Sequence, residues 1–150
     1  MEKMKITIPK ETFQIVKFQQ DKHIGVASIN VGVKGFSYKK VFRWHLSIVF
    51  DAKETNEASL LTEAEGEIFN FIEDKFDAIA IGPNLSRPNA IFVARTSWNK
   101  TVEFVWRVHD PERVHQILAK ILEDKAYLRP FGYRIEDDPA WEKLDWYFRL

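Results

Sequence analysis

Cysteine is absent from this chain of 150 residues, and the sequence carries no net charge at pH 7. The lack of cysteine excludes disulfide frameworks, thiolate zinc sites, cysteine nucleophiles and cysteine-ligated iron–sulfur clusters. Long apolar runs are also missing, because no segment approaches the roughly 20 apolar residues of a membrane-spanning helix. Residues 1–13 hold no apolar signal-peptide core. We therefore expect a cytoplasmic protein without a membrane partner.

Glycine and proline are sparse, with six of each, and they are scattered as turn residues rather than gathered into a linker. Aromatic residues are plentiful, with 12 Phe, 5 Trp and 4 Tyr. A chain of this length buries roughly 68–70% of the surface that its unfolded form exposes, so these rings can supply a core. The sequence predicts a single domain over residues 1–150, with residues 1–11 as a candidate flexible segment.

The zero net charge hides a segregation of charge along the chain. Residues 1–50 contain nine basic and three acidic side chains, residues 51–80 contain two and nine, and residues 81–150 contain eleven and ten. An acidic segment therefore follows a basic one. The simplest interpretation is that basic strands lie near an acidic helix and partly neutralise it.

The first half of the chain shows two strand patterns. Strand-like runs at residues 13–18 and 24–29 flank a polar turn, which predicts a hairpin. Residues 41–50 alternate between apolar and polar side chains with a period of two, which is typical of a strand with one buried face.

Capping signals mark the helices. Thr62, followed three residues later by Glu65, fits a capping box and predicts a helix over residues 63–78. Asp110 and Pro111 fit the N-cap and first position of a second helix. The apolar residues at helical spacing in the first helix are Leu61, Ile68, Phe69, Ile72, Phe76 and Ile79.

The remaining elements complete a recognisable order. Strands at residues 90–98 and 101–109 are joined by a short turn, and a last strand includes residues 131–135. Asp138 and Pro139 then start a short C-terminal helix whose apolar residues should dock on the domain. These residues are Trp141, Leu144, Trp146 and Tyr147.

The order strand, helix, strand, strand, helix, strand over residues 41–136 predicts an α+β protein with a ferredoxin-like βαββαβ sandwich. Two helices would cover one face of an antiparallel sheet, with Trp44, Phe104 and Trp106 buried between. The N-terminal hairpin and the short C-terminal helix would be additions to this core. The hairpin must pair at a sheet edge or fold over a face, and the sequence leaves both open.

Three segments together carry a family resemblance: Leu61-Thr62-Glu63-Ala64-Glu65, Phe71-Ile72-Glu73-Asp74, and Glu136-Asp137-Asp138-Pro139-Ala140-Trp141-Glu142. Over about residues 20 to 148 the chain resembles the bacterial domain-of-unknown-function family six-nine-five. The acidic residue, proline and tryptophan near the C-terminus are the most specific part. The resemblance implies a compact α+β fold similar in outline to bacterial ribonuclease-inhibitor domains, and it brings no catalytic residues.

No motif in the sequence predicts catalysis, a cofactor or a metal. The serines lack a nucleophile elbow, and the glycines form neither a phosphate-binding loop nor a dinucleotide fingerprint. The four histidines include no pair at the spacing of helical zinc ligands. We therefore do not expect an enzyme.

One predicted surface is the sheet face turned away from the helices. Successive side chains of a strand point to opposite faces, so the neighbours of Phe104 and Trp106 should face outward. This face collects Arg43, His45, Ser47, Arg95, Arg107, His109 and Arg134, opposed by Glu103 and Glu136. Antiparallel sheets often have one solvated polar face, but arginine also binds phosphate or carboxylate well. An open face of this kind is a candidate site for phosphate or nucleic acid.

The other predicted surface is an acidic stripe on the first helix. Its members, opposite the apolar side of the helix, are Glu63, Glu67, Asn70, Asp74 and Asp77. A solvated helix face would explain the stripe, and so would a site for a basic partner. The function that we expect is non-catalytic protein binding, as in an inhibitor, immunity or regulatory protein. Phosphate handling or nucleic-acid binding by the arginine-bearing face is the alternative, and a homo-oligomer is left open.

Overall fold

The computed structural model describes residues 6–80 and 88–150, without the side chains of residues 79 and 80. These residues form an α+β protein with one antiparallel sheet, so the predicted class is confirmed. The strands of this part of the chain are β1 (Phe13–Gln20), β2 (His23–Asn30), β3 (Trp44–Asp51), β4 (Ala90–Trp98), β5 (Thr101–Val108) and β6 (Phe131–Asp137).

The helices are α1 (Glu63–Phe76), α2 (Pro111–Glu123) and α3 (Asp145–Phe148). α1 ends two residues earlier than predicted, because Asp77–Ala80 form a 3-10 turn. The strand predicted from residue 41 begins at Trp44, because Lys39–Phe42 also form a 3-10 turn. The side chain of Ile79, predicted to lie on the apolar side of α1, is outside the described residues.

The N-caps predicted at Thr62 and Asp110 are confirmed. The Thr62 hydroxyl accepts a hydrogen bond from the backbone N–H of Glu65 at 3.3 Å. The Asp110 carboxylate accepts from the N–H groups of Glu112 and Arg113 at the start of α2. These contacts satisfy donors that a helix N-terminus otherwise leaves without partners. The C-terminal helix predicted to start at Asp138 and Pro139 is not confirmed, because α3 begins at Asp145 after a 3-10 turn at Glu142–Leu144.

The strand order is β1-β2-β4-β5-β3-β6, and each neighbouring pair is antiparallel. The N-terminal hairpin therefore pairs at an edge, with β2 against β4, and extends the sheet beyond a simple four-stranded arrangement. The β4–β5 hairpin turns at Asn99 and Lys100, whose φ angles of 46° and 65° suit a tight two-residue turn.

One apolar cluster lies between the two long helices and one face of the sheet, which we call the helix face. Its fully buried members are Leu46, Ile48, Phe69, Val102, Phe104, Val108, Val114 and Leu118. The prediction that Phe104 and Trp106 are buried is confirmed, whereas Trp44 is only partly buried. Ring centroids of Phe104 and Trp106 lie 5.7 Å apart in an edge-on arrangement, which is favourable for aromatic pairs.

The opposite face of the sheet, which we call the far face, carries a second apolar cluster. Its buried members include Ala27, Ile29, Phe36, Phe42, Val93, Val105, Trp141 and Leu144. They come from the sheet, from the connection before β3 and from the segment after β6. Ile6 and Ile8, within the candidate flexible segment, pack against this cluster, whereas residues 1–5 are outside the described residues.

The C-terminal segment docks on the far face, as the sequence predicted. Trp141, Leu144 and Tyr147 are buried, although Trp146 remains 37% exposed. The Trp141 indole N–H donates to the carbonyl oxygen of Phe42 at 3.0 Å. The segment is therefore an integral part of the domain.

Candidate functional site

The predicted open arginine-bearing face is wrong, because the C-terminal segment covers it. Arg107 is 0% exposed and His45 is 6% exposed, and both lie on the far face. Strand periodicity placed these two side chains on the correct side of the sheet. It could not show that Trp141 and Leu144 would pack over the same side.

Arg107 joins β5 to the segment before β3 and to the segment after β6. Its Nη1 donates to the Asp138 carboxylate at 2.9 Å, and its Nη2 donates to the carbonyl oxygens of Arg43 and Asp138. Its Nε donates to the carbonyl oxygen of Phe42 at 3.2 Å. The guanidinium also lies 4.9 Å from the centre of the Trp141 ring. The donors that could hold a phosphate are therefore used within the protein.

His45 is held neutral next to Arg107. Burial and the positive charge of Arg107 lower the pKa of His45 from 6.5 to about 4. Its Nδ1 lies 3.3 Å from Nη1 of Arg107, a geometry that suits a neutral ring accepting a hydrogen bond from the guanidinium. The Asp138 carboxylate accepts from the same Nη1 and balances the charge of the guanidinium.

The remaining basic residues of the predicted face do not converge on one site. Arg43 forms an exposed pair with Asp137, with Nε 2.6 Å from Oδ1. The His109 ring nitrogen Nδ1 lies 2.9 Å from the carbonyl oxygen of Val41 and donates to it. Arg134 is exposed on the edge strand β6.

The prediction that Arg95 lies on the same face is also wrong. A register shift in β4 between Phe92 and Ala94 inserts one residue, which reverses the facing of every later side chain in the strand. Arg95 therefore reaches α1, where its Nη1 donates to Asn70 at 2.7 Å and lies 3.6 Å from the Glu73 carboxylate.

The stripe predicted on α1 is exposed along its whole length. We call Glu63, Glu67, Asp74 and Asp77 the acidic face; Asn70 lies among them and binds Arg95. Within the described residues, no basic side chain forms a salt bridge with any of the four acids. Basic side chains do pair with two other acids of α1, since Arg95 of β4 lies against Glu73 and Arg129 binds Glu65. The expected neutralisation of the helix is therefore met beside the stripe and not on it.

The acids near the end of α1 act on one another. Burial and the nearby negative charge of Asp74 raise the pKa of Asp77. The pKa of Glu73 is raised by burial, against the opposing effect of Arg95, and Asp77 and Asp74 raise it further. Burial is the main cause of both raised pKa values, and the neighbouring like charges add to it.

An aromatic side chain borders the acidic face. Phe71 is 49% exposed, and the ammonium of Lys75 lies 4.9 Å from the centre of its ring. An exposed ring surrounded by charge is a common form of binding anchor. Phe71 was not among the predicted site residues, because the stripe was recognised from its charged residues alone.

Glu65 has a role that the capping box did not predict. Instead of reaching back to its own helix terminus, its carboxylate accepts from Arg129 Nε at 2.9 Å and from the backbone N–H of Lys53. The hydrogen bond from Arg129 is the main cause that lowers the pKa of Glu65 to about 2. Glu65 therefore anchors the loops before α1 and before β6.

A cleft of about 390 Å³ opens on the far face beside α3. It is lined by Phe18, Gln20, Val49, Thr96, Trp98, Thr101, Glu103 and Trp146. Sequence analysis named Glu103 only as an opposing charge and did not predict the cleft. Strand alternation alone does not place Thr96, Trp98 and Glu103 on one face. The bulge in β4 and the pairing of the N-terminal hairpin with β4 bring them together, and neither could be predicted.

Within residues 6–80 and 88–150 no group of three or more histidine and acidic side chains is placed to hold a metal ion. In the same part of the chain no helix is both long and apolar enough to cross a bilayer. Comparison with protein-family models, with curated proteins and with solved structures finds no match.

Proposed function

We propose that this chain is a non-catalytic protein-binding domain, of the inhibitor or immunity kind, and that the acidic face of α1 binds a basic partner protein. The observation that supports this most is the state of Glu63, Glu67, Asp74 and Asp77. All four are exposed, and none has a salt bridge among the described residues.

Apart from Glu63, which suits the N-terminal end of the helix dipole, the acidic face does not stabilise the domain. Glu63 and Glu67 are a like-charge pair one turn apart, which costs an isolated helix about 0.2–0.5 kcal/mol. Asp74 and Asp77 lie at the negative end of the helix dipole, where an acid is unfavourable by roughly 0.3–1 kcal/mol. A basic partner would relieve this repulsion, and the field of the acidic face would speed its approach.

We also propose that residues 41–136 form a ferredoxin-like core. The strand order β4-β5-β3-β6, with α1 after β3 and α2 after β5, supports it. The resemblance to the domain-of-unknown-function family six-nine-five and the cytoplasmic location are parts of the proposal too. Phosphate handling is not proposed, because Arg107 and His45 are buried in contacts within the protein.

The test is a differential capture of proteins by immobilised chain from an extract of the native cell. The wild type is compared with the reversal variant Glu67→Lys, Asp74→Lys, Asp77→Lys. A matched control reverses Glu11, Glu57 and Glu123, three exposed acids away from α1, and so changes the net charge equally.

We expect at least one basic protein that the wild type and the control retain and that the reversal variant loses. Loss from both variants would indicate a general charge effect. Retention of every captured protein by the reversal variant would contradict the proposal.

A further inference from the structure

The cleft on the far face combines aromatic walls with one carboxylate. It lies on the opposite side of the sheet from α1, so what it binds is independent of the acidic face. Phe18, Trp98 and Trp146 supply the rings, and Glu103 supplies the charge. About 390 Å³ is enough space for a small organic ligand.

The aromatic walls are held in place by the sheet. Gly25 allows the Phe18 ring to lie directly over β2, since a Cβ at Gly25 would come within 2.1 Å of Cζ of Phe18. The Phe18 ring then meets Trp146 edge-on, with 5.2 Å between centroids. On the other side, the Trp98 indole N–H donates to the carbonyl oxygen of Gln20 at 3.0 Å.

The Glu103 carboxylate is held by neutral donors. One oxygen accepts from the Ser47 hydroxyl at 2.6 Å, and the other accepts from the Tyr147 hydroxyl. Burial and the charge of Glu103 raise the pKa of Tyr147, so this hydroxyl remains a donor. Within the described residues no basic side chain forms a salt bridge with Glu103. A half-buried carboxylate is ordinarily paired with a cation.

Two further observations point to a ligand. The Thr96 side chain, only 7% exposed, lines the cleft, and its hydroxyl has no hydrogen-bond partner among the described residues. Native structures leave few buried polar groups in this state. In the same part of the chain, no lysine or arginine side chain lies over the ring of Phe18, Trp98 or Trp146.

We propose that this cleft binds an alkylated ammonium group, with the cation against the rings of Phe18, Trp98 and Trp146 and its charge balanced by Glu103. Aromatic rings attract cations through the negative potential of their faces, and quaternary ammonium groups suit such sites because they are large and weakly hydrated. A hydroxyl on the ligand would also give Thr96 a partner. The ammonium belongs to a free small molecule or to a methylated lysine side chain, and these sources share the same chemistry.

The test follows the tryptophan indole N–H signals of the full chain by NMR while choline or tetramethylammonium is added. Trp98→Phe and Trp146→Phe assign the two signals. A second arm adds a peptide that contains trimethyllysine, to distinguish a free cation from a side chain. The neutral choline isostere 3,3-dimethylbutan-1-ol has the same shape without the charge and serves as the ligand control.

We expect saturable shifts of the Trp98 and Trp146 signals with a cation from at least one arm and weaker binding of the neutral isostere. Glu103→Gln should weaken cation binding by about tenfold or more, whereas Glu123→Gln, on α2, should not change it. The absence of saturable shifts in both arms at millimolar concentrations would overturn the proposal. The proposal would also be overturned if Glu103→Gln bound the cation as tightly as the wild type, or if the wild type bound the neutral isostere as tightly as the cation. None of these results bears on the acidic face.

Discussion

At the scale of single residues, Arg107 determines how the far face is built. Its guanidinium donates hydrogen bonds to the Asp138 carboxylate and to the backbone carbonyl oxygens of Phe42 and Arg43. Asp138 in turn accepts from the N–H groups of Glu142 and Lys143 at the start of the C-terminal segment. A buried pair of this kind is costly to break, because removal of one partner leaves the other charge buried.

Arg107→Met should therefore lower the free energy of unfolding by about 3–5 kcal/mol. Arg43→Met is the matched control, since it removes an arginine from the exposed pair with Asp137, and exposed pairs contribute little. Urea unfolding followed by circular dichroism measures both. Equal effects of the two substitutions would show that Arg107 is not the anchor described above.

His45 makes stability depend on pH. Its pKa in the folded state, about 4, lies below the ordinary 6.5, so the unfolded state takes up the proton first as the pH falls. The stabilisation is complete above pH 6.5 and is lost progressively between pH 6.5 and 4, on the order of 3 kcal/mol.

His45→Asn keeps a hydrogen-bond acceptor for Arg107 and removes the titratable imidazole. The difference in unfolding free energy between wild type and variant should change across pH 6.5 to 4 and be flat above that range. Thermal or urea unfolding at a series of pH values provides the measurement. A difference that is constant over the whole range would exclude a role for the His45 proton.

At the scale of elements, local patterns, including the two hairpins, were good predictors, whereas a strand irregularity and contacts between distant segments were not predicted. Thr62 and Asp110 were identified as N-caps because a cap depends on a few adjacent residues. The facing of Arg95 could not be predicted, since the bulge in β4 depends on how β4 pairs with β5. Glu65 was assigned to a capping box, but tertiary contact with Arg129 prevailed.

Removal of the C-terminal segment should be strongly destabilising. Truncation after Asp138 removes Trp141, Leu144 and Tyr147 and exposes the far face. Because one fully buried large side chain contributes about 1.5–3 kcal/mol, the loss should be several kcal/mol. The melting temperature measures it.

A point substitution tests the same element if the truncated chain fails to fold. Trp141→Ala should lower the unfolding free energy by about 3–5 kcal/mol. Trp146→Ala, at a residue 37% exposed in the same segment, should cost much less. An unchanged melting temperature after truncation would mean that the segment is not docked in solution.

At the scale of the whole molecule, both faces of the sheet are covered, one by α1 and α2 and the other by the C-terminal segment. The basic and acidic segments of the sequence therefore do not form one basic surface and one acidic surface in the folded domain. The basic residues are dispersed into local contacts, whereas the acids of α1 remain together at the surface. The acidic face could be predicted from the sequence because helical periodicity, a local pattern, determines which side chains share it. The covered far face could not be predicted, because segments distant in the sequence form it.

The acidic face should control association without supporting the fold. Reversal of Glu67, Asp74 and Asp77 to lysine should leave the unfolding free energy equal to that of the wild type or higher. The two changes at the end of α1 suit the helix dipole, by roughly 0.3–1 kcal/mol each. A variant that unfolds more easily would show that these acids make stabilising contacts.

The most direct measurement of the central claim is the association rate constant between the chain and a basic protein retained in the capture experiment, at low and high salt. For the wild type and for the variant reversed at Glu11, Glu57 and Glu123, the rate should fall steeply as salt screens the acidic face. For the variant reversed on α1, the rate should be slow at low salt and nearly independent of salt. Equal rates for all three proteins, with the same salt dependence, would contradict the assignment of the acidic face as the binding surface.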